Sequence, residues 1–296
     1  MKKIISLVLL LIILTTLITG CNSLNKATSA PSKEFDLNST INVVSREDGS
    51  GTRGAFIEIV GILEKDEEGN EIDNTYEEAI IQNATDAVMT TTQGDRYAIG
   101  YISLGSLNNT VKALKIEGVE ANSENIQNNS YKIARPFSIA YKENLDSLGK
   151  DFLDFVLSSN GQDIVSNEGY IQTNSSLPEY NKTEQKGRLV IAGSTSVTPV
   201  MEKLAEAYEN IHPNTSIEIQ STGSSAGIQA AIEGSADLAM VSRELKESEL
   251  KELTGEIIAI DGIAIIVNKE NPIEDLSLED IRSIYIGETT TWSKLT

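Results

Sequence analysis

The 296-residue chain has one cysteine, one histidine and few aromatic residues, 5% of the total. A single Cys excludes a disulfide framework, and one Cys with one His makes no ordinary metal-ligand set, so neither a metal nor a cofactor is expected. A Cys–His pair or a Ser-His-Asp triad would have to be built on His212, which stands at the end of a helical pattern, where a solvated side chain is expected. Basic residues are also scarce: 24 Lys and Arg against 44 Asp and Glu give a formal net charge of −20. That balance argues against a nucleic-acid binder, which needs a basic face to displace counterions. The remainder, 40% hydrophobic and 23% charged residues, is the composition of a folded chain with room for about two domains of ordinary size.

Lys2 and Lys3 precede an apolar run from Ile4 to Ile18, interrupted only by Ser6 and Thr15-Thr16. A basic start and a run of that length read as an export signal. The run closes on Leu17-Ile18-Thr19-Gly20-Cys21, which resembles the lipobox of bacterial lipoproteins, where a small residue precedes a Cys that becomes the cleaved and lipidated end; a plain transmembrane anchor is the alternative. Each buried lipid CH₂ contributes about 0.8 kcal/mol, so several acyl chains would hold the protein at the membrane. Residues 1–20 are therefore expected to be a signal peptide, Cys21 a lipidation site, and the polar stretch 22–38 a flexible tether. Loss of Lys2 and Lys3 leaves 22 basic against 44 acidic side chains, a net charge near −22.

From Thr40 onward short apolar strands alternate with amphipathic helices. Strand candidates are Ile41–Val44, Ala98–Ile102, Leu189–Ala192, Ile217–Gln220, Leu238–Val241 and Ile263–Val267. Helical spacing joins Phe56, Ile59, Val60 and Leu63; Val200, Leu204, Ala207, Tyr208 and Ile211; and Ile228, Ala231 and Ile232, the last closed by Gly234. The alternation predicts an α/β fold with mainly parallel pairing. The polar segment Thr173–Gly187 reads as a linker between two such blocks.

One loop type occurs three times: a strand ends, a Gly/Ser/Thr cluster follows, and a helix begins. The loops are Ser45–Gly54 (SREDGSGTRG), Gly193–Pro199 (GSTSVTP) and Ser221–Gly227 (STGSSAG). Glycine lets the backbone approach a ligand closely. Helix N-termini offer unpaired N–H groups and partial positive charge, and Ser and Thr add hydroxyl donors. Three such loops, with Arg46, point to a small oxyanion held largely by neutral donors. Each loop taken alone could be no more than a helix cap.

Two other motifs fit less well. Gly49-Ser50-Gly51-Thr52-Arg53-Gly54 matches a dinucleotide fingerprint, but four residues separate the strand from its first Gly, and no acidic strand end follows at the required distance. Gly223-Ser224-Ser225-Ala226-Gly227 matches a hydrolase nucleophile elbow, but that family places its His after the nucleophile and His212 precedes it. With no catalytic base beside a plausible substrate, no enzyme is predicted.

The loops, together with Gly94–Gly105 (GDRYAIGYISLG), Phe155–Tyr170 (FVLSSNGQDIVSNEGY), Ser242–Leu245 (SREL) and Asp261–Val267 (DGIAIIV), resemble the phosphate-binding lipoprotein of the high-affinity phosphate ABC importer, the PstS family. The resemblance implies an α/β, two-lobed periplasmic-binding-protein-like fold of type II, closed by a hinge. In that family the stretch like Gly187–Leu295 precedes the stretch like Ile41–Ile171; here the halves are exchanged, which reads as a circular permutation joined through Thr173–Gly187, or else as fused halves that pair by swapping between chains. The implied lobes are 39–135 with 269–296, and 136–268, with hinge strands near Phe137–Tyr141 and Gly262–Val267.

By the same resemblance Arg46, Ser50, Gly51 and Thr52 bind phosphate from one lobe and Thr195, Ser196, Ser225, Ser242 and Arg243 from the other. Asp48 would orient Arg46. Some relatives carry an Asp after Ser242 that accepts the phosphate proton and rejects sulfate; here that place is Arg243, a second cation, and Asp261 would be the substitute acceptor. The expected partners are inorganic phosphate, the permease and ATPase of an ABC importer, and the membrane through Cys21 at the extracytoplasmic face. An uncompensated buried charge costs tens of kcal/mol and a helix N-terminus offsets about 0.3–1, so charge-assisted hydrogen bonds, Arg46 first, must supply most of the binding. Micromolar binding, about −8 kcal/mol, is within reach. The alternative functions are an anion-sensing lipoprotein receptor and, further off, a nucleotide-dependent enzyme or serine hydrolase.

Overall fold

The computed structural model describes residues 34–173 and 177–295; the signal peptide, Cys21 and the expected tether up to residue 33 lie outside them. One compact unit begins at Asp36. The last tether residues are part of it: the turn at Asp36–Ser39 is closed by backbone and side-chain bonds to Asp36, and Leu37 O accepts from Ser293 N at 2.7 Å.

The chain order is β1 (Asn42–Arg46), α1 (Gly51–Ile59), the β2–β3 hairpin (Leu63–Lys65, Glu71–Asp73), β4 (Ile80–Gln82), α2 (Thr85–Gly94), β5 (Ala98–Ser103), β6 and β7 (Lys112–Ala113, Lys115–Ile116), α3 (Ser123–Gln127) and β8 (Ala134–Tyr141). Then come α4 (Ser147–Val156), α5 (Ser159–Asn167), β9 (Gly187–Gly193), α6 (Thr198–Ile211), β10 (Thr215–Ser221), α7 (Ser224–Glu233), β11 (Leu238–Val241), β12 (Thr254–Val267), β13 (Asp275–Leu276) and α8 (Leu278–Tyr285). All six strands expected from the sequence are present. The helix expected to reach Leu63 stops at Ile59, because Gly61 takes φ +76° and turns the chain, leaving Leu63 to open β2.

Nine strands form one sheet in the order β10-β9-β11-β8-β12-β5-β1-β4, with β6 beside β12. Pairing is parallel at β9–β10, β9–β11, β1–β4 and β1–β5, as expected. It is antiparallel in the middle, at β8–β11, β8–β12 and β5–β12. The expectation of mainly parallel pairing fails there because β12 is one long strand. Its Thr254–Gly262 part lies on β8 and its Ile263–Val267 part on β5, so a single segment joins both halves of the sheet.

Period-two alternation puts successive residues into different layers. In β11, Leu238 and Met240 enter the core built with α4, α5 and α6, whereas Ala239 and Val241 pack with Ile228 and Ala231 of α7. The alternation breaks once, at a bulge between Ile257 and Ala259, which sends Ile258 and Ala259 into the same core. Buried Gln162 satisfies that irregular backbone by donating to Ile258 O at 2.9 Å.

The segment expected to be a polar linker is fastened at Tyr180 and Thr183. Both hydroxyls donate to the buried Asp151 carboxylate of α4, Tyr208 donates to it at 2.7 Å, and His212 Nε2 lies 2.8 Å from Tyr180 Oη. His212 is therefore buried, at 3% exposure, rather than solvated. Burial holds its pKa below the ordinary value, against the opposing pull of Asp151. For Asp151, burial pushes up, but the hydroxyls of Thr183, Tyr180 and Tyr208 outweigh it and hold the carboxyl below its usual range. Both groups thus bind protons more readily when unfolded, and both cost stability as pH falls: His212 from its ordinary value of 6.5 downward, Asp151 from 3.8 downward. Asp261, pushed up to about 6 by burial, works in the opposite sense between 3.8 and that value. The His212 contribution is isolated by a difference: between about pH 7.5 and 5.5 the urea midpoint of His212→Gln should fall less than that of the wild type. Equal falls would remove His212 as the source.

Candidate functional site

The three glycine-rich loops converge. β1 ends in Ser45-Arg46, and the backbone there is fixed by Tyr101 of β5, whose hydroxyl bonds Ser45 Oγ at 2.8 Å and accepts from Arg46 N at 3.1 Å. Tyr101 is held in turn by Phe56 of α1, stacked at 4.0 Å, and by Tyr285 of α8. Ser50 caps α1 by accepting from Arg53 N at 3.3 Å, so α1 starts beside Arg46.

The second loop turns at Gly193, whose φ of +141° and contact with Met240 leave no room for a side chain. Gly193 O accepts from both Thr222 N and Gly223 N at 2.8 Å, which ties the second loop to the third. The first loop joins them through Ser225 N, which donates to Gly49 O at 3.1 Å.

At the meeting point Arg46 is 2% exposed. Its Nε and Nη2 donate to the two carboxylate oxygens of Glu47 at 2.8 and 2.9 Å, and Nη2 also donates to Thr195 Oγ1 at 3.1 Å. Around the guanidinium the hydroxyls form a connected set. Thr52 Oγ1 bonds Ser196 Oγ at 2.8 Å, and Thr85 Oγ1 lies 3.1 Å from Ser196 and 3.2 Å from Thr195. Ser194 Oγ donates to Ser242 Oγ at 2.8 Å, and Ser242 N donates to Ser224 Oγ at 3.2 Å. Gly51, at the first turn of α1, is pressed against Ser224 and Ser242. Such a set supplies hydroxyls, helix-terminal N–H groups and one guanidinium whose carboxylate partner is already engaged, which is chemistry suited to a compact anion.

Of the expected residues, Arg46, Ser50, Gly51, Thr52, Thr195, Ser196 and Ser242 are gathered in this place. Four are not. Asp48 does not orient Arg46: its side chain is 94% exposed and pairs with Arg53 at 2.8 Å, and the carboxylate on Arg46 is Glu47, one residue earlier. Ser225 is exposed; the turn at Gly223, φ +90°, directs Ser224 inward instead. Arg243 is held outside by Glu249, with two bonds of 2.8 Å. Ser225 and Arg243 line an open cleft of about 520 Å³ that Arg53 and Lys246 also border. Asp261 is no free proton acceptor, since Oδ1 accepts from Ser103 Oγ at 2.9 Å and Oδ2 from Arg135 at 3.1 Å.

Thr85, Ser194, Ser224 and Glu47 were missed. Ser194, Ser224 and Glu47 are immediate neighbours of residues that were named, and only the direction of each turn decides between them. Thr85 opens a helix whose preceding loop has no glycine, so the loop pattern passes over it. His212 is bonded to Tyr180.

Comparison with known proteins follows the same lines. A family model described as the PBP superfamily domain matches residues 22–160 and 180–296. The phosphate-binding protein PstS 2 of Streptococcus pneumoniae serotype 4 is 48% identical over 267 residues, 90% of this chain and 91% of the relative. The protein of the same name from Streptococcus agalactiae serotype V is 49% identical over 258 residues, 86% and 88% of the two chains. The crystal structure of a phosphate ABC transporter phosphate-binding protein from Streptococcus pneumoniae TIGR4 superposes with a TM-score of 0.70 at 48% identity, covering 87% of this chain and all of that one. One alignment runs through both halves, so the Streptococcus pneumoniae relative carries them in the order found here.

Proposed function

We propose, since the chain belongs to the PstS family of phosphate-binding proteins and so has the two-lobed periplasmic-binding-protein fold, that it captures inorganic phosphate outside the cytoplasm and delivers it to the membrane permease and ATPase of an ABC importer. The observation that carries the reading is the meeting of Arg46 with hydroxyls from distant parts of the chain, Thr52 and Thr85 on one side and Thr195 and Ser196 on the other. Phosphate entering there would exchange the Thr–Ser bonds for bonds to its own oxygens, while Arg46 stays fixed on Glu47. The N–H groups at the start of α1 and α7 would complete the shell.

The lobes are 39–135 with 269–296, and 136–268, and they rotate about β8 and β12. Bound phosphate bridges the lobes and so favours the closed form, because it contacts both only there. The permease then reads closure, and phosphate leaves chemically unchanged, so no enzymatic role is assigned. The exchanged order of the halves is a circular permutation relative to other family members, and the Tyr180–Asp151 fastening makes its connection part of the fold. Lipidation of Cys21 would hold the protein at the extracytoplasmic face; acyl labelling tests it.

Calorimetric titration of the purified protein with phosphate, sulfate and arsenate tests the reading. Saturable phosphate binding in the micromolar range or tighter, about −8 kcal/mol or more, is expected. No heat and no thermal shift with phosphate would end it.

A further inference from the structure

A second arginine lies beneath the hydroxyl cluster and is used by none of the chemistry above. Arg135, the second residue of β8, lies directly opposite Asp261 of β12, at the point where β12 changes partner: Asp261 and Gly262 face β8, and Ile263 faces Ser103 of β5. Both side chains of the pair are 1% exposed. Arg135 Nε and Nη2 donate to Asp261 Oδ2 at 3.3 and 3.1 Å, and Ser103 Oγ donates to Oδ1 at 2.9 Å. The third contact leads to the site: Arg135 Nη1 donates to Ser242 O at 3.0 Å. Ser242 in turn holds Ser194 through its hydroxyl and Ser224 through its N–H.

We propose that Arg135 is a positioning residue for anion binding, holding Ser242 and through it the Ser194 and Ser224 loops, with Asp261 as the counter-charge that anchors it to β12, the strand that joins both halves of the sheet. A buried ion pair contributes little to stability compared with apolar side chains of similar volume, so the fold alone gives small reason for one here. The pair stands at the place where rotation of the lobes must be absorbed, with β5 on one side through Ser103 and the anion-facing loops on the other through Ser242. Loss of the Ser242 tether frees two of the three loops from their common support. The carbonyl of Ser242 accepts a charged donor, a bond of the stronger class.

The inference rests on the phosphate-binding reading, and the test separates the two. Wild-type protein is titrated with phosphate first; absence of binding there is a failure of that reading and not of this one. The decisive variant is the double substitution Arg135→Met with Asp261→Asn, which removes both charges and leaves no unpaired buried ion. Its melting temperature should recover most of what Arg135→Met alone loses, while its phosphate affinity stays at least about tenfold below wild type, the loss expected for one charge-assisted bond. A double variant that binds within about twofold of wild type overturns the proposal, because the pair would then serve only the fold. Arg135→Lys is the second variant, keeping the charge opposite Asp261 but losing the fork that spans to Ser242. It should also bind at least about tenfold more weakly and show faster hydrogen exchange at the Ser242 amide; affinity and exchange equal to wild type overturn the proposal even if the double variant does not fold.

Discussion

Arg46→Ala should bind phosphate about a hundredfold or more weakly than the wild type while still unfolding in one cooperative transition. The guanidinium is 2% exposed and reaches the hydroxyls of Thr195 and Thr85 directly. Truncating one member of a buried, hydrogen-bonded charge pair typically costs about 2–5 kcal/mol of binding, which is about 30- to several thousand-fold. The fold should tolerate the change because the carboxylate left behind, Glu47, has a side chain 27% exposed and can be solvated. Arg46→Lys should recover little, since an ammonium cannot hold Glu47 through two bonds and also reach Thr195. Isothermal titration with a thermal melt on each variant checks both parts. Unchanged affinity in Arg46→Ala would remove this residue from the site and with it the reading of the cluster.

Gly51→Ala is the second large effect, and it works by geometry instead of charge. A Cβ at this position would stand 2.6 Å from Ser242 Oγ and closer still to Ser224 Oγ. Real side chains do not approach so closely, and both hydroxyls are buried within a hydrogen-bonded set that cannot swing aside freely. With the lobes proposed above, Gly51 and the two serines fall on opposite sides of the cleft, so opening it would relieve the contact and leave each lobe undisturbed. Overpacking of this kind costs about 1–3 kcal/mol, which here falls on closure and lowers phosphate affinity by about 5- to 150-fold. The melting temperature without phosphate should change little. Small-angle scattering should show that the variant stays extended at phosphate concentrations that compact the wild type. A variant that closes and binds normally would mean that the two faces never meet this tightly.

The strands and the three loops were legible because their signals are local. Val43-Val44 and Leu238–Val241 are apolar runs bounded by turn residues, and a Gly/Ser/Thr cluster before a helix is visible in one line of sequence. The antiparallel centre was not legible, since nothing local in Thr254–Val267 says that one strand will serve two sets of partners. Within the site the loops were found but not always the residue. Ser224 and Ser225 have the same chemistry, and the positive φ of Gly223 decides which one turns inward. Glu47 and Asp48 differ in the same way: the longer side chain reaches back along the guanidinium while the shorter one faces solvent. Arg135 gave no sign at all, because its partners Asp261 and Ser242 are 126 and 107 residues away in sequence.

The engagement of Arg46 by Glu47 bears on how the protein distinguishes distance from contact. A chain of formal net charge −20 repels anions in the surrounding fluid, and the cation at the hydroxyl cluster, Arg46, presents no unbalanced field to draw one in. Whatever arrives does so by diffusion against a weak opposing potential and is retained only after shedding its water onto donors of fixed direction. Shape and hydrogen-bond direction, not electrostatic capture, then decide which oxyanions stay.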